Sequence, residues 1–122
     1  RMENSNSNIT FAHTSEFEFS ELLNLYNIEW IYEPTSYPLK WGSDGSIKMM
    51  FRPDFYLPVY NLYIEITTMN QKLVTRKNKK LKLAKRLYPG VRFKIIYEFQ
   101  YIELLKKYKG TDSLDFQEAI AS

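Results

Sequence analysis

Arg52-Pro53-Asp54-Phe55-Tyr56-Leu57-Pro58, followed after a short turn by Leu62-Tyr63-Ile64-Glu65-Ile66-Thr67, is the stretch on which the reading of this chain depends. Both runs have the apolar and aromatic content of buried strand, and an acid stands in each. An ionised carboxylate in an apolar sheet is costly unless something compensates it. Ten residues separate Asp54 from Glu65, enough for a strand, a turn and a return strand. Paired in that way, both side chains reach one point, where a divalent cation that prefers oxygen ligands would neutralise them. Asp54 alone reads as an ordinary turn aspartate after a proline. Glu65 alone could face solvent, although Ile64 and Ile66 on either side both need packing. The pair carries the inference.

Outward from this stretch, 122 residues set the scale of a single domain with a real core. Hydrophobic content of 44% and aromatic content of 16% argue against disorder over most of the length. The chain has no cysteine, which excludes disulfides, thiolate metal sites and a cysteine nucleophile. It has no apolar run long enough to span a bilayer and no signal-peptide pattern, so no membrane partner and a cytoplasmic location are expected. The net charge of +3 hides a segregation of sign. Ten of the 17 Lys and Arg fall between Glu65 and Glu98, where there is no acid, and the rest of the chain is net negative. Such asymmetry suggests one basic face that meets a polyanion.

Residues 1–12 read as a flexible N-terminal segment, 13–109 as the folded domain and 110–122 as a C-terminal tail holding at most one more helical turn. Ser15-Glu16-Phe17-Glu18 has the form of a capping box with Ser15 as N-cap, and the helix it opens runs to about Tyr26. Phe19, Leu22, Leu23 and Tyr26 share one face. Ile28 to Glu33 alternates as a strand, and Pro34 stops it. A hairpin follows, from Tyr37 to Trp41 and, after a turn over Gly42 to Ser46, from Ile47 to Tyr56. Pro53 within that run marks a bulge or strand end. Asn61 marks the next turn and Leu62–Thr67 a strand. A basic helix spans about Asn70 to Leu87, then come a strand from Val91 to Tyr97 and a helix from Phe99 to Tyr108. The expected class is α/β, a central mixed β-sheet flanked by helices.

A helix with a Glu, a Pro-Asp at a strand bend, and a Glu on the next strand resemble the PD-(D/E)xK nuclease superfamily, over roughly residues 13 to 105. Pro53-Asp54 and Glu65-Ile66-Thr67 carry the resemblance. Phe51 to Pro58, Tyr63 to Ile66 and Ile28 to Pro34 look typical of its small bacterial and phage members. The resemblance implies a restriction-endonuclease-like core and a metal-dependent endonuclease that hydrolyses DNA phosphodiester bonds. Asp54 and Glu65 would hold Mg²⁺ or Mn²⁺, helped by the Ile66 carbonyl. It also implies DNA as partner, with a homodimer or a partner protein supplying specificity, and a protein that is nucleoid-associated or phage-encoded.

The helical wheel favours Glu16 as the acid of the first helix, with Glu18 second, because Glu21 points away from the apolar face. The sequence departs from the family pattern at Thr67, which stands where the pattern has the lysine of Glu-x-Lys. Two explanations stay open. In one, a residue of the following helix takes the lysine's place. Val74, Leu81, Ala84 and Tyr88 define the inward face of that helix, Lys77 lies within it, and Gln71 lies at its edge near the helix start. In the other, catalysis is lost and the domain is a nuclease-fold module that binds nucleic acid or a partner protein. Lys72, Arg76, Lys79 and Lys80 are the expected contacts to nucleic-acid phosphates, although a basic run of this kind is ordinarily a solvated helix face.

Overall fold

The computed structural model describes residues 2–3, 9–67, 71–108 and 113–122. Strands β1 (Met2–Glu3) and β2 (Thr10–Phe11) pair ahead of helix α1 (Thr14–Leu25). The helix starts two residues earlier than the capping-box reading places it. His13 is the N-cap, and no side chain caps the helix. Ser15 is instead buried in the first turn, where its carbonyl accepts the Tyr101 hydroxyl, and Glu18 is exposed. Phe19, Leu22, Leu23 and Tyr26 are buried as the periodicity predicts.

Asn27 closes α1 in the left-handed region (φ 59°). Its N–H donates to the Asn24 carbonyl, and the Ile28 N–H donates to the Leu23 carbonyl. This is a Schellman ending, with Ile28 as its buried apolar residue. Ile28 is therefore taken by the helix end, and the expected strand over Ile28–Glu33 shrinks to β3 (Ile31–Tyr32). Glu33, at φ 46°, turns the chain out of the sheet.

Strands β4 (Tyr37–Trp41) and β5 (Ile47–Phe51) form a hairpin outside the main sheet. Gly45 at φ 86° and an Asp44 carboxylate that accepts the Ser46 N–H and hydroxyl shape its turn. The run expected from Ile47 to Tyr56 breaks at Arg52–Asp54, where Pro53 cannot donate to a ladder. The chain resumes as β6 (Phe55–Leu57), makes a 3₁₀ turn over Pro58–Tyr60, and returns through left-handed Asn61 as β7 (Leu62–Thr67). Helix α2 (Gln71–Leu87) then crosses over to β8 (Arg92–Tyr97). The main sheet has the order β3-β6-β7-β8, antiparallel except for the parallel pair β7–β8. A mixed sheet flanked by helices is thus present.

Alternation along β7 divides two cores. Leu62, Ile64 and Ile66 join Phe19, Leu23, Phe55 and Leu57 on one face. Tyr63 packs on the other with Leu39, Phe51, Leu81, Ala84 and Phe93, beneath the hairpin and α2. The first core continues into helices α3 (Glu98–Tyr108) and α4 (Ser113–Ala121). Phe116 and Ile120 of α4 are fully buried, and Phe116 stacks on Tyr26 with ring centroids 3.9 Å apart. The stretch read as a tail is part of the core. Its turn-forming lead-in hid the apolar spacing of Phe116 and Ile120.

Candidate active site

The turn after β6 sets the register that makes the site. Phe55 pairs with Ile64, so one residue back Asp54 falls opposite Glu65. Each acid accepts a backbone N–H from the other strand. Ile66 N donates to Asp54 Oδ2 at 2.8 Å, and Asp54 N donates to Glu65 Oε1 at 3.2 Å. Both residues are nearly inaccessible, Asp54 at 6% and Glu65 at 8% exposure. They lie toward the C-terminal end of β7, which runs parallel to β8, the end of parallel strands at which α/β sheets bind their ligands.

The third member comes from α2. Lys77 Nζ lies 3.2 Å from Glu65 Oε2 and donates to the Ile66 carbonyl at 2.5 Å. The wheel reading of Lys77 as an inward-facing lysine agrees with this placement. The fourth member is Glu16, in the first turn of α1 and 4% exposed, whose Oε1 accepts the Tyr32 hydroxyl at 2.5 Å. Its charge is felt at Asp54. Tyr32 was not foreseen. The one available signal was chemical, since a buried Glu16 needs a donor and Tyr32 lies on the edge strand beside it.

Three acids and one lysine leave the cluster short of positive charge, and the proton affinities show it. Burial, then the Glu65 and Glu16 charges, push Asp54 up to about 9, against the pull of the Ile66 N–H and Lys77. Burial also raises Glu65, which Lys77 and the Asp54 contacts partly offset. Burial and the Glu16 hydrogen bond raise the Tyr32 hydroxyl. Thr67 lies one pleat beyond Glu65 on the same face. It is 1% exposed, and among the described residues its hydroxyl finds no partner.

Gln71 opens α2, but its side chain lies outside the described residues. Lys72, Arg76 and Lys79 are exposed on the same helix, away from the carboxylates. Lys80 is half-buried and donates to the Met50 carbonyl at 3.0 Å, tying the hairpin to α2. Asn78 donates to the Tyr97 hydroxyl at 3.2 Å. Among the described residues, no group of three or more His, Asp and Glu side chains is arranged as a ready-made metal cage. What the site offers is two opposed carboxylates and a backbone carbonyl, all hard oxygen donors. No family model, curated protein or solved structure matches this chain.

Proposed function

We propose that this domain is a metal-dependent endonuclease of restriction-endonuclease-like type that hydrolyses DNA phosphodiester bonds. The observation that carries the proposal is the convergence of Asp54, Glu65 and Lys77 from three separate elements on one buried point. The donor set fits a hard divalent cation. Mg²⁺ is ordinarily held by one or two carboxylates, with waters and substrate phosphate completing its shell. The Lys77 ammonium already bridges Glu65 Oε2 and the Ile66 carbonyl, as a stand-in for positive charge at that position. Asp54, Glu65 and the Ile66 carbonyl would hold Mg²⁺ or Mn²⁺, which when bound polarises a phosphoryl oxygen and acidifies water.

The chain's own residues have separable tasks. Glu65 is fixed by the Asp54 N–H and Asp54 by the Ile66 N–H, so their oxygens are preorganised. Lys77 supplies the cation that the Glu-x-Lys pattern would place at Thr67, and it reaches the site from the following helix. Its ammonium can hold a phosphate oxygen or orient the attacking water. Glu16 is held by Tyr32 and adds negative charge beside Asp54. The exposed cations of α2, among them Lys72, Arg76 and Lys79, supply affinity for the backbone but no sequence information.

The test is cleavage of plasmid, linear, branched and single-stranded DNA with Mg²⁺ or Mn²⁺, comparing the wild type with Asp54→Ala and Glu65→Ala. Metal-dependent cutting lost in both variants supports the proposal. DNA binding without any cutting by the wild type selects the non-catalytic binding module, for which Thr67 is the supporting observation.

A further inference from the structure

The basic side of α2 does not stand alone, because the β4–β5 hairpin rises beside it. Between them runs a groove of about 650 Å³ lined by Lys40 of the hairpin and by Arg76, Lys79, Lys80, Lys82 and Arg86 of α2. Met49 and Leu83 give it an apolar lining, and no acid is among the described residues that line it. Lys80 has a structural duty in its bond to the Met50 carbonyl. The other five cations have no ion-pair partner among the described residues. Like charges gathered on both walls repel one another, and solubility alone would mix the signs.

The hairpin wall is shaped to make this groove. Strict alternation would send Leu39 and Lys40 to opposite faces. The ladder instead shifts register on both sides of Lys40, between Pro38 and Lys40 and between Lys40 and Trp41. Such irregularities re-aim side chains. Leu39 enters the core beside Leu81 and Ala84, while Lys40 still lines the groove beside Arg76 and Lys79. Trp41, the next residue, is 51% exposed and pairs across the hairpin with exposed Ile47.

We infer that this groove seats the backbone of single-stranded DNA, with Trp41 stacking on a base as the strand leaves at the hairpin end. Cations that track a backbone, with an aromatic ring beside them, are the usual means of holding a single strand without reading its sequence. The choice of DNA rests on the proposed nuclease function. Arg76 and Lys80 lie within one turn of Lys77, about 5 Å along the helix, and Lys77 in turn reaches Glu65. The substrate class that follows is DNA with an unpaired segment beside the cleaved bond.

The test uses the whole chain in EDTA, so that binding is read without hydrolysis, with a labelled single-stranded oligodeoxynucleotide as probe. Binding quenches tryptophan fluorescence, and Trp41→Phe removes most of the quenching. Trp41→Ala weakens binding about tenfold, the scale of one lost base stack. Lys40→Ala with Lys79→Ala lowers affinity and reduces the slope of log K against log salt by about 1.4, from about 0.7 per phosphate contact. Lys106→Ala, on the exposed face of α3, leaves both unchanged. All four positions are exposed, and unchanged thermal unfolding checks that the variants are folded. Absence of quenching, an unchanged salt slope, or tighter binding of duplex DNA or of RNA of the same sequence would overturn the inference. A protein that cuts DNA but fails these tests loses the groove and keeps the nuclease function. One that passes them and never cuts does the reverse.

Discussion

Asp54→Asn removes a titratable group from the centre of the cluster and almost no volume. The asparagine keeps a carbonyl oxygen to accept the Ile66 N–H that Asp54 Oδ2 accepts at 2.8 Å. In the wild type without divalent cation, burial and the neighbouring Glu65 and Glu16 raise Asp54 from 3.8 to about 9. Between those values the folded protein holds a proton that the unfolded chain has released. Stability therefore falls as pH rises through this window and is highest at its acid end. Each pH unit costs up to about 1.4 kcal/mol, so the ceiling between pH 4 and pH 7 is about 4 kcal/mol. Asp54 and Glu65 titrate as a pair, and Lys77 offsets part of their charge, so about 2 kcal/mol is the working figure.

Asp54→Asn escapes this cost. At pH 7 it is about 2 kcal/mol more stable than the wild type, a rise in Tm of about 8 °C for a domain of this size. The assay is thermal unfolding by circular dichroism in EDTA from pH 4.5 to pH 8.5. The two proteins converge at the acid end and separate as pH rises. Mg²⁺ then raises the wild-type Tm, because a ligand of the folded state stabilises it, and leaves the variant unmoved. A variant less stable than the wild type at pH 7, or a wild-type Tm that runs parallel to the variant's across the range, refutes the reasoning.

Other perturbations read other parts of the molecule. Lys77→Met keeps the aliphatic stem and leaves Glu65 buried without its counter-charge. It costs about 2–3 kcal/mol in urea titrations in EDTA, and DNA cleavage falls about 100-fold or more. Phe116→Ala opens a cavity against Tyr26 and costs about 3–5 kcal/mol by the same titration, whereas a dispensable tail would give no change. Thr67→Val removes a buried hydroxyl that lacks a partner among the described residues. The variant is about 1 kcal/mol more stable, as seen in its urea midpoint.

What the sequence discloses about this fold follows the local signals. The strand Leu62–Thr67 was legible residue for residue, because left-handed Asn61 ends the turn before it and its β-rich run is unbroken. The basic helix was legible from its period and its Pro-Gly stop. Lys77 was legible for a related reason, as a charge on an otherwise apolar face has to meet something. The misread places are those where one residue serves two neighbours. Ile28 looks like the first residue of a strand and is taken by the end of α1. Ser15 looks like a cap and is buried under Tyr101. The hydrogen bond from Tyr32 to Glu16 spans 16 positions and follows no period, so only the assembled sheet edge brings it together. Leu39 and Lys40 are hidden in the same way, since a shifted ladder breaks the alternation on which strand reading depends.

The cluster itself argues that it is kept for something other than stability. Burial of Asp54, Glu65 and Glu16 beside a single lysine works against the folded state at neutral pH. Replacing buried ionic groups by well-packed neutral ones is often neutral or stabilising. A module that only gripped nucleic acid would gain from such replacements, because its affinity comes from the exposed cations of α2 and the hairpin. Extra negative charge near a phosphate backbone weakens that grip. Carboxylates in this position make sense when a further cation joins them, and a cation between carboxylates and a phosphate is suited to polarising that phosphate. Strain of this kind collects at sites that do chemistry. The two functions therefore separate on one variant. Asp54→Asn should bind DNA in EDTA at least as tightly as the wild type and should not cut it in Mg²⁺. A binding module would show the first effect with no cutting to lose.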